Sequence, residues 1–255
     1  MSDALDRLAE EAAPLLLRVD AALADAGAPP DGEVWSLLRR VRALPSDAVA
    51  AVVGWRTEPL AQATTPLRTL ARRYAEACDP IVADPQWEGA AADAFRLRSA
   101  ALRAYVQGAG TDSLVGRLRA TVSYLEELAG WMTRSRRRLA AALADVLGSA
   151  EAVTVLTGAP LSGPAASRGA APVGAAPVGA AAVGAAPVGA AAMGAAAVGA
   201  AAARIAAHLL APVAVACDEA RALHDDWQPR LGQLVHQPPR DPVATTGGRR
   251  LRIGE

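Results

Sequence analysis

Three histidines, two cysteines and a run of arginines are the residues of this 255-residue chain that could do chemistry. His208, His224 and His236 do not stand at metal-ligand spacing from a cysteine or from one another. His224-Asp225-Asp226 invites a metal reading, but adjacent residues on a helix point in different directions, so the set reads as a solvated helix face. A phosphate loop of the Gly-Lys-Ser/Thr type is excluded because the chain contains no lysine. Its glycine repeat contains no Gly-x-Gly-x-x-Gly, and its serines and cysteines lack a nearby base. Cys78 and Cys217 read as small core residues, and their spacing does not establish a bridge. Arg134, Arg136, Arg137 and Arg138 spread round a helix, so they are expected to point to solvent and pair with acids; a contact with an acidic partner or phosphate is the sharper alternative. No catalytic, cofactor or metal site follows, and the expectation is a non-enzymatic protein.

What remains is an aromatic anchor. Trp87-Glu88-Gly89 falls between two apolar-striped segments, with Pro85 before it and Phe95 eight residues after Trp87. A tryptophan at such a turn can plug the end of a bundle. Exposed, it offers a large, stiff group of the kind that dominates protein interfaces.

Composition supports binding through helices. Acidic and basic residues balance, 26 against 26, which removes the electrostatic reason to expect nucleic acid as a partner. Alanine and leucine favour helix, and β-branched residues are mostly isolated, so the chain reads as all-α. The absence of asparagine removes any N-glycosylation site. The first residues are acidic (Asp3, Asp6, Glu10, Glu11), unlike the basic start of a secretory leader.

The expected elements run as follows. Residues 1–57 hold N-terminal helices: one over 3–26, with Leu5, Leu8, Ala12, Leu15 or Leu16, Val19 and Leu23 as its stripe and Asp3 as cap, then two short ones at 33–44 and 46–54. Residues 58–157 form a helical hairpin. Leu60, Ala63, Leu67, Leu70, Tyr74, Ala77 and Ile81 repeat in three-four alternation, a coiled-coil-like seam in which Pro66 should start or kink the helix. A second helix, 89–107, carries Ala91, Phe95, Arg98 or Ser99, Leu102 and Val106. A long one follows over 112–150, capped by Thr111-Asp112-Ser113, and at its standard rise would span roughly 55 Å, a length that favours an elongated bundle. Residues 158–198 are a low-complexity linker in which Gly-Ala-Ala-Pro/Ala-Val recurs every five residues. That period matches neither helix nor strand, although the part after Pro187 could join the next helix. A membrane span there is disfavoured, because alanine and glycine supply too little apolar surface. A C-terminal helix over 199–236 should be kinked or divided by Pro212 and Pro229, and 237–255 reads as a disordered tail.

The residues around Trp87 resemble the WXG100 (ESAT-6-like) superfamily, helical-hairpin proteins handled by type VII (ESX) secretion. The resemblance rests on Trp87, Gly89 and the aromatic Phe95, and covers 58 to about 150. It implies an elongated antiparallel bundle built round a Trp-x-Gly turn. It implies pairing with a second copy or a small sister protein, contact with the secretion machinery, and export without a cleaved signal peptide. Trp87 and Gly89 would belong to the export signal, and Phe95 to packing. The chain departs from the family in its length and in lacking Tyr-x-x-x-Asp/Glu: Cys78, Ala109 and Leu128 stand four residues after its tyrosines. The alternative is a cytoplasmic helical scaffold or adaptor with a chance Trp-x-Gly. A third reading is a membrane-active effector using the Ala/Gly/Val segment.

Overall fold

The computed structural model describes residues 3–26, 32–82, 87–108, 110–158 and 188–235. Every regular element among the described residues is helical. In chain order these are α1 (Ala4–Ala26), α2 (Glu33–Val41), α3 (Pro45–Val53), α4 (Glu58–Cys78), α5 (Ala90–Gln107), α6 (Leu114–Leu147), α7 (Ala150–Thr157) and α8 (Val188–Leu231). A 3-10 turn at Asp79–Val82 follows α4, and another at Gly110–Asp112 precedes α6. Residues 159–187 of the repeat, His236 and the tail expected over 237–255 lie outside the described residues.

Packing groups the chain into two units. One comprises Met1–Trp55 and Thr133–Asp218, the other Arg56–Met132 and Glu219–Glu255. The consecutive segments expected from the sequence are therefore not the packing units, since α6 and α8 each give one part to each.

In the first unit α1 buries the stripe its spacing predicts: Leu5, Ala12, Leu15, Leu16, Val19 and Leu23. Its start is a reciprocal cap. The Asp6 N–H donates to Asp3 Oδ1 at 3.1 Å, and the Asp3 N–H donates to Asp6 Oδ2 at 3.2 Å. The expected solvent-facing arginine cluster is corrected at one position. Arg134, Arg137 and Arg138 are exposed, but Arg136 is buried. Its Nε donates to Asp3 at 2.9 Å and its Nη2 to Asp6 at 2.7 Å. Its Nη1 reaches the carbonyls of Val52 (2.9 Å), Val53 (2.7 Å) and Trp55 (3.2 Å). The last turn of α3 leaves carbonyls without helical partners, and the first turn of α1 concentrates carboxylates. A planar five-donor fork answers both. Burial opposes the charge on Arg136, yet the hydrogen bonds to Asp6 and Asp3 outweigh it and hold its pKa above the ordinary arginine value.

The core of this unit is the alanine-rich half of α8. Val198, Ala201, Ala202, Ala203, Ile205, Ala206, Leu209, Leu210, Val213 and Ala214 are all buried. They lie round most of the helix, so no constant face is needed. Residues 188–198, expected as linker, are its first turns. Pro187 is the last proline before them, and from Val188 to Ala211 every residue can donate its N–H while alanine favours helix. Nor is α8 divided at Pro212 or Pro229. A Cβ on Gly158, at the end of α7, would stand 2.5 Å from Val198 Cγ2, so small residues set this close approach. Met193–Leu231 is long and apolar enough to cross a membrane, but 56% of its most apolar window is buried inside the protein, which accounts for its hydropathy.

Start signals show where local sequence is insufficient. α3 begins at Pro45 with Leu44 at its cap position and no side-chain cap of its own. Asp20 of α1 takes hydrogen bonds from the Ser46 side chain and backbone there. Burial, the largest influence, pushes the Asp20 pKa up; the Ser46 bonds act against it, and Asp47 adds to it. Asp20 Oδ1 has no partner among the described residues. A raised native pKa means the folded chain holds the proton more tightly than the unfolded one. Asp20 therefore costs stability as pH rises through that raised value, and the cost vanishes below the ordinary aspartate range. Asp20→Asn, which keeps an acceptor for Ser46, should raise the thermal midpoint at pH 7 by roughly 1–3 °C and leave it unchanged near pH 3. A lower midpoint at pH 7 would show instead that the charge stabilises α3 as its cap.

The second unit has a far smaller buried cluster. Ala71, Cys78, Val106 and Val115 form it, with Ile81, Tyr105 and Leu118 packed against them. Ser113, fully buried, caps α6 by accepting from the Gly116 N–H at 2.9 Å. A Cβ on Gly116 would stand 1.7 Å from the Gly110 carbonyl oxygen, so this tight entry to α6 requires glycine.

Candidate protein-binding site

Some of the residues that could do chemistry take structural roles. His208 stands 3.6 Å from Asp145, and Arg204 donates to Glu151 at 3.1 Å. All four line a shallow cleft of about 210 Å³ in the first unit. The Ser149 hydroxyl beside them caps α7, accepting from the Ala152 N–H. His224, Asp225 and Asp226 are exposed. Among the described residues no three His, Cys, Asp or Glu side chains gather as a metal site. Cys78 and Cys217 are free thiols, Cys78 buried and Cys217 half-buried.

The unspent apolar surface lies in the second unit. The seven-residue seam expected on α4 is displaced by about a quarter turn. Thr64, Ala71 and Cys78 are buried, seven apart. Leu70, Tyr74 and Ala77 of the expected stripe are exposed, and Leu67 is half-buried between the two rows. α4 thus carries two apolar faces: a small-residue face packed inside the unit and a large-residue face open to solvent. The three-four alternation fits both faces, so spacing alone could not say which one packs.

α5 repeats the arrangement. Ala92 and Val106 are buried and Ser99 half-buried, again seven apart, while Phe95 and Leu102 on the flank are exposed. Leu97 is exposed on another side. Sequence reasoning placed Phe95, Leu70 and Tyr74 on packed stripes and passed over Leu97, whereas all four are exposed.

Trp87 and Phe95 come together at the entry to α5. Their ring centroids are 5.5 Å apart at 62°, an edge-on contact, and Trp87 keeps 50% and Phe95 41% of its surface exposed. Gly89 caps the helix at φ +95°, ψ −174°, a backbone shape that only glycine adopts without strain. The three residues expected as a site, Trp87, Gly89 and Phe95, thus sit in one local structure with a physical demand at each. Pro85 lies outside the described residues.

The path of the chain on either side is less regular than a tight hairpin. α4 packs against α5. However, Gln107, the last residue of α5, donates to the Ala75 carbonyl near the end of α4, and Val106 shares a cluster with Cys78. A tight turn at Trp87 would instead set Ala75 opposite the first turns of α5. Arg68 of α4 pairs with Glu126 of α6, and Ala71 and Cys78 share their cluster with Val115, so α6 also packs on α4. No known protein family, curated protein or solved structure matches the chain.

Proposed function

We propose that this chain is a non-enzymatic WXG100-like protein, a type VII secretion substrate or the partner of one, that acts through helix-bundle association. The observation that carries the reading is the Trp87–Phe95 pair, half-exposed at the entry to α5, where Gly89 takes a positive φ. Such a pair is a preformed anchor: its side chains lose little freedom on binding and bring large apolar area. The exposed Leu70 and Tyr74 row of α4 extends the apolar surface of the same unit. A partner helix lying along such faces is the binding mode this chemistry favours. The partner would be a second copy or a small sister protein, with the secretion machinery as a further contact.

Export tests it. In a host with a working ESX system, tagged wild type should reach the medium and Trp87→Ala should remain in the cell, about tenfold less exported, with equal helicity. Retention of the wild type, even with neighbouring genes co-expressed, would reject secretion. It would favour a helical scaffold using the same surface, the reading that the meeting of the α4 and α5 C-terminal ends supports.

A further inference from the structure

α4 borders a second surface besides its apolar one. Leu70, Tyr74 and Ala77 lie on one side of the buried Ala71 and Cys78, and Arg68, Arg72, Ala75 and Asp79 lie on the other, at helical spacing. This polar side forms one wall of a cleft of about 300 Å³ in the second unit, which Arg119 of α6 and Gln107 of α5 also line. Its charges are unevenly matched. Arg68 pairs with Glu126 of α6. Arg72 reaches Glu76 only at 3.7 Å, and both side chains are mostly exposed, so the pair contributes little. The side chains of Arg119 and Asp79 have neither ion pair nor hydrogen bond among the described residues.

We propose that this cleft is a carboxylate-binding site in which Arg72 and Arg119 hold one monoanion. Arg119 is the cation without a partner, and Arg72 gives up only a long, solvent-screened contact to join it. The planar guanidinium fork matches the two oxygens of a carboxylate. Asp79 lies seven residues beyond Arg72, about 10 Å along the helix, and its negative charge disfavours a phosphate dianion. A volume of about 300 Å³ is at the lower limit of small-molecule sites, so the cleft admits a small organic acid or a single acidic side chain. The site is independent of the Trp87–Phe95 anchor and of secretion.

Sodium acetate titrated into the isotope-labelled full chain, against sodium chloride at constant ionic strength, tests it by nuclear magnetic resonance. The Nε–H signals of Arg72 and Arg119 should shift saturably, with a Kd on the order of 1–10 mM. Arg119→Gln should weaken binding at least about tenfold, the worth of one charge-assisted bond. Arg73→Gln, the same charge change on α4 outside the cleft, should leave binding unchanged. Both residues are exposed, so neither variant endangers the fold. Shifts that stay linear in acetate, binding that survives Arg119→Gln, an equal loss with Arg73→Gln, or phosphate binding more tightly than acetate would each overturn the site. The blocked peptide Ala-Ala-Glu-Ala-Ala separates the two sources of the carboxylate. Tighter binding than acetate, lost when glutamine replaces the glutamate, places it on a protein; binding no tighter than acetate places it on a small acid.

Discussion

Arg136→Met should remove about 3–5 kcal/mol of stability, the range seen when one partner of a buried ion pair is deleted. The side chain of Arg136 is 8% exposed and that of Asp6 12%, so the carboxylate left behind stays largely out of water. The carbonyls of Val52, Val53 and Trp55 lose their shared donor in the same step. Asp3, about half exposed, contributes less because water screens it. Methionine keeps the apolar stem, which makes the loss electrostatic rather than a cavity. Urea unfolding at neutral pH measures it. Adding Asp6→Asn should recover part of the loss, since the buried carboxylate is then neutral. A change below about 1 kcal/mol for Arg136→Met would mean that water replaces the guanidinium, and would sink the clamp.

Trp227→Ala should cost the chain a similar amount, about 3–5 kcal/mol. Trp227 is 3% exposed, and its Nε1–H donates to Glu127 Oε2 at 2.7 Å. Tyr124 packs against the ring at 5.3 Å between centroids, and the Arg230 guanidinium lies 5.2 Å over it. The second unit has only a small buried cluster besides, so this side chain is a large share of its packing. Trp227→Phe keeps most of the ring and loses the indole donor; about 1 kcal/mol is expected for the hydrogen bond, since Glu127 is exposed and regains water. Denaturant titration of both variants separates ring from donor. Equal losses for alanine and phenylalanine would place the energy in the Glu127 bond instead.

Legibility followed periodicity. α1 could be read to its ends because one face is buried and the other solvated, so its apolar residues recur at three and four. α4 could be read as a helix but not in its orientation, because two adjacent apolar faces share that alternation and only packing chose Thr64, Ala71 and Cys78 for the interior. The pentad repeat concealed only the first turns of α8, residues 188–198, since a five-residue period keeps to no single helix face; from 199 on the helix was legible. Arg136 could not be placed, because its partners are 81–133 residues away in the chain and the four neighbouring arginines look alike.

The sequence by itself determined the helical class, the stripe of α1, the capping of α6 at Ser113, and the start of α5 just after Trp87. Each follows from propensities and spacings within a few turns of backbone. Only the tertiary structure decided that packing divides α6 and α8 between two units, that Asp20 takes hydrogen bonds from Ser46 of α3, that Arg136 clamps α1 to α3, and that Trp87 with Phe95 stays open to solvent. Those outcomes depend on which surfaces meet, and burial is a property of the neighbours that distant segments supply.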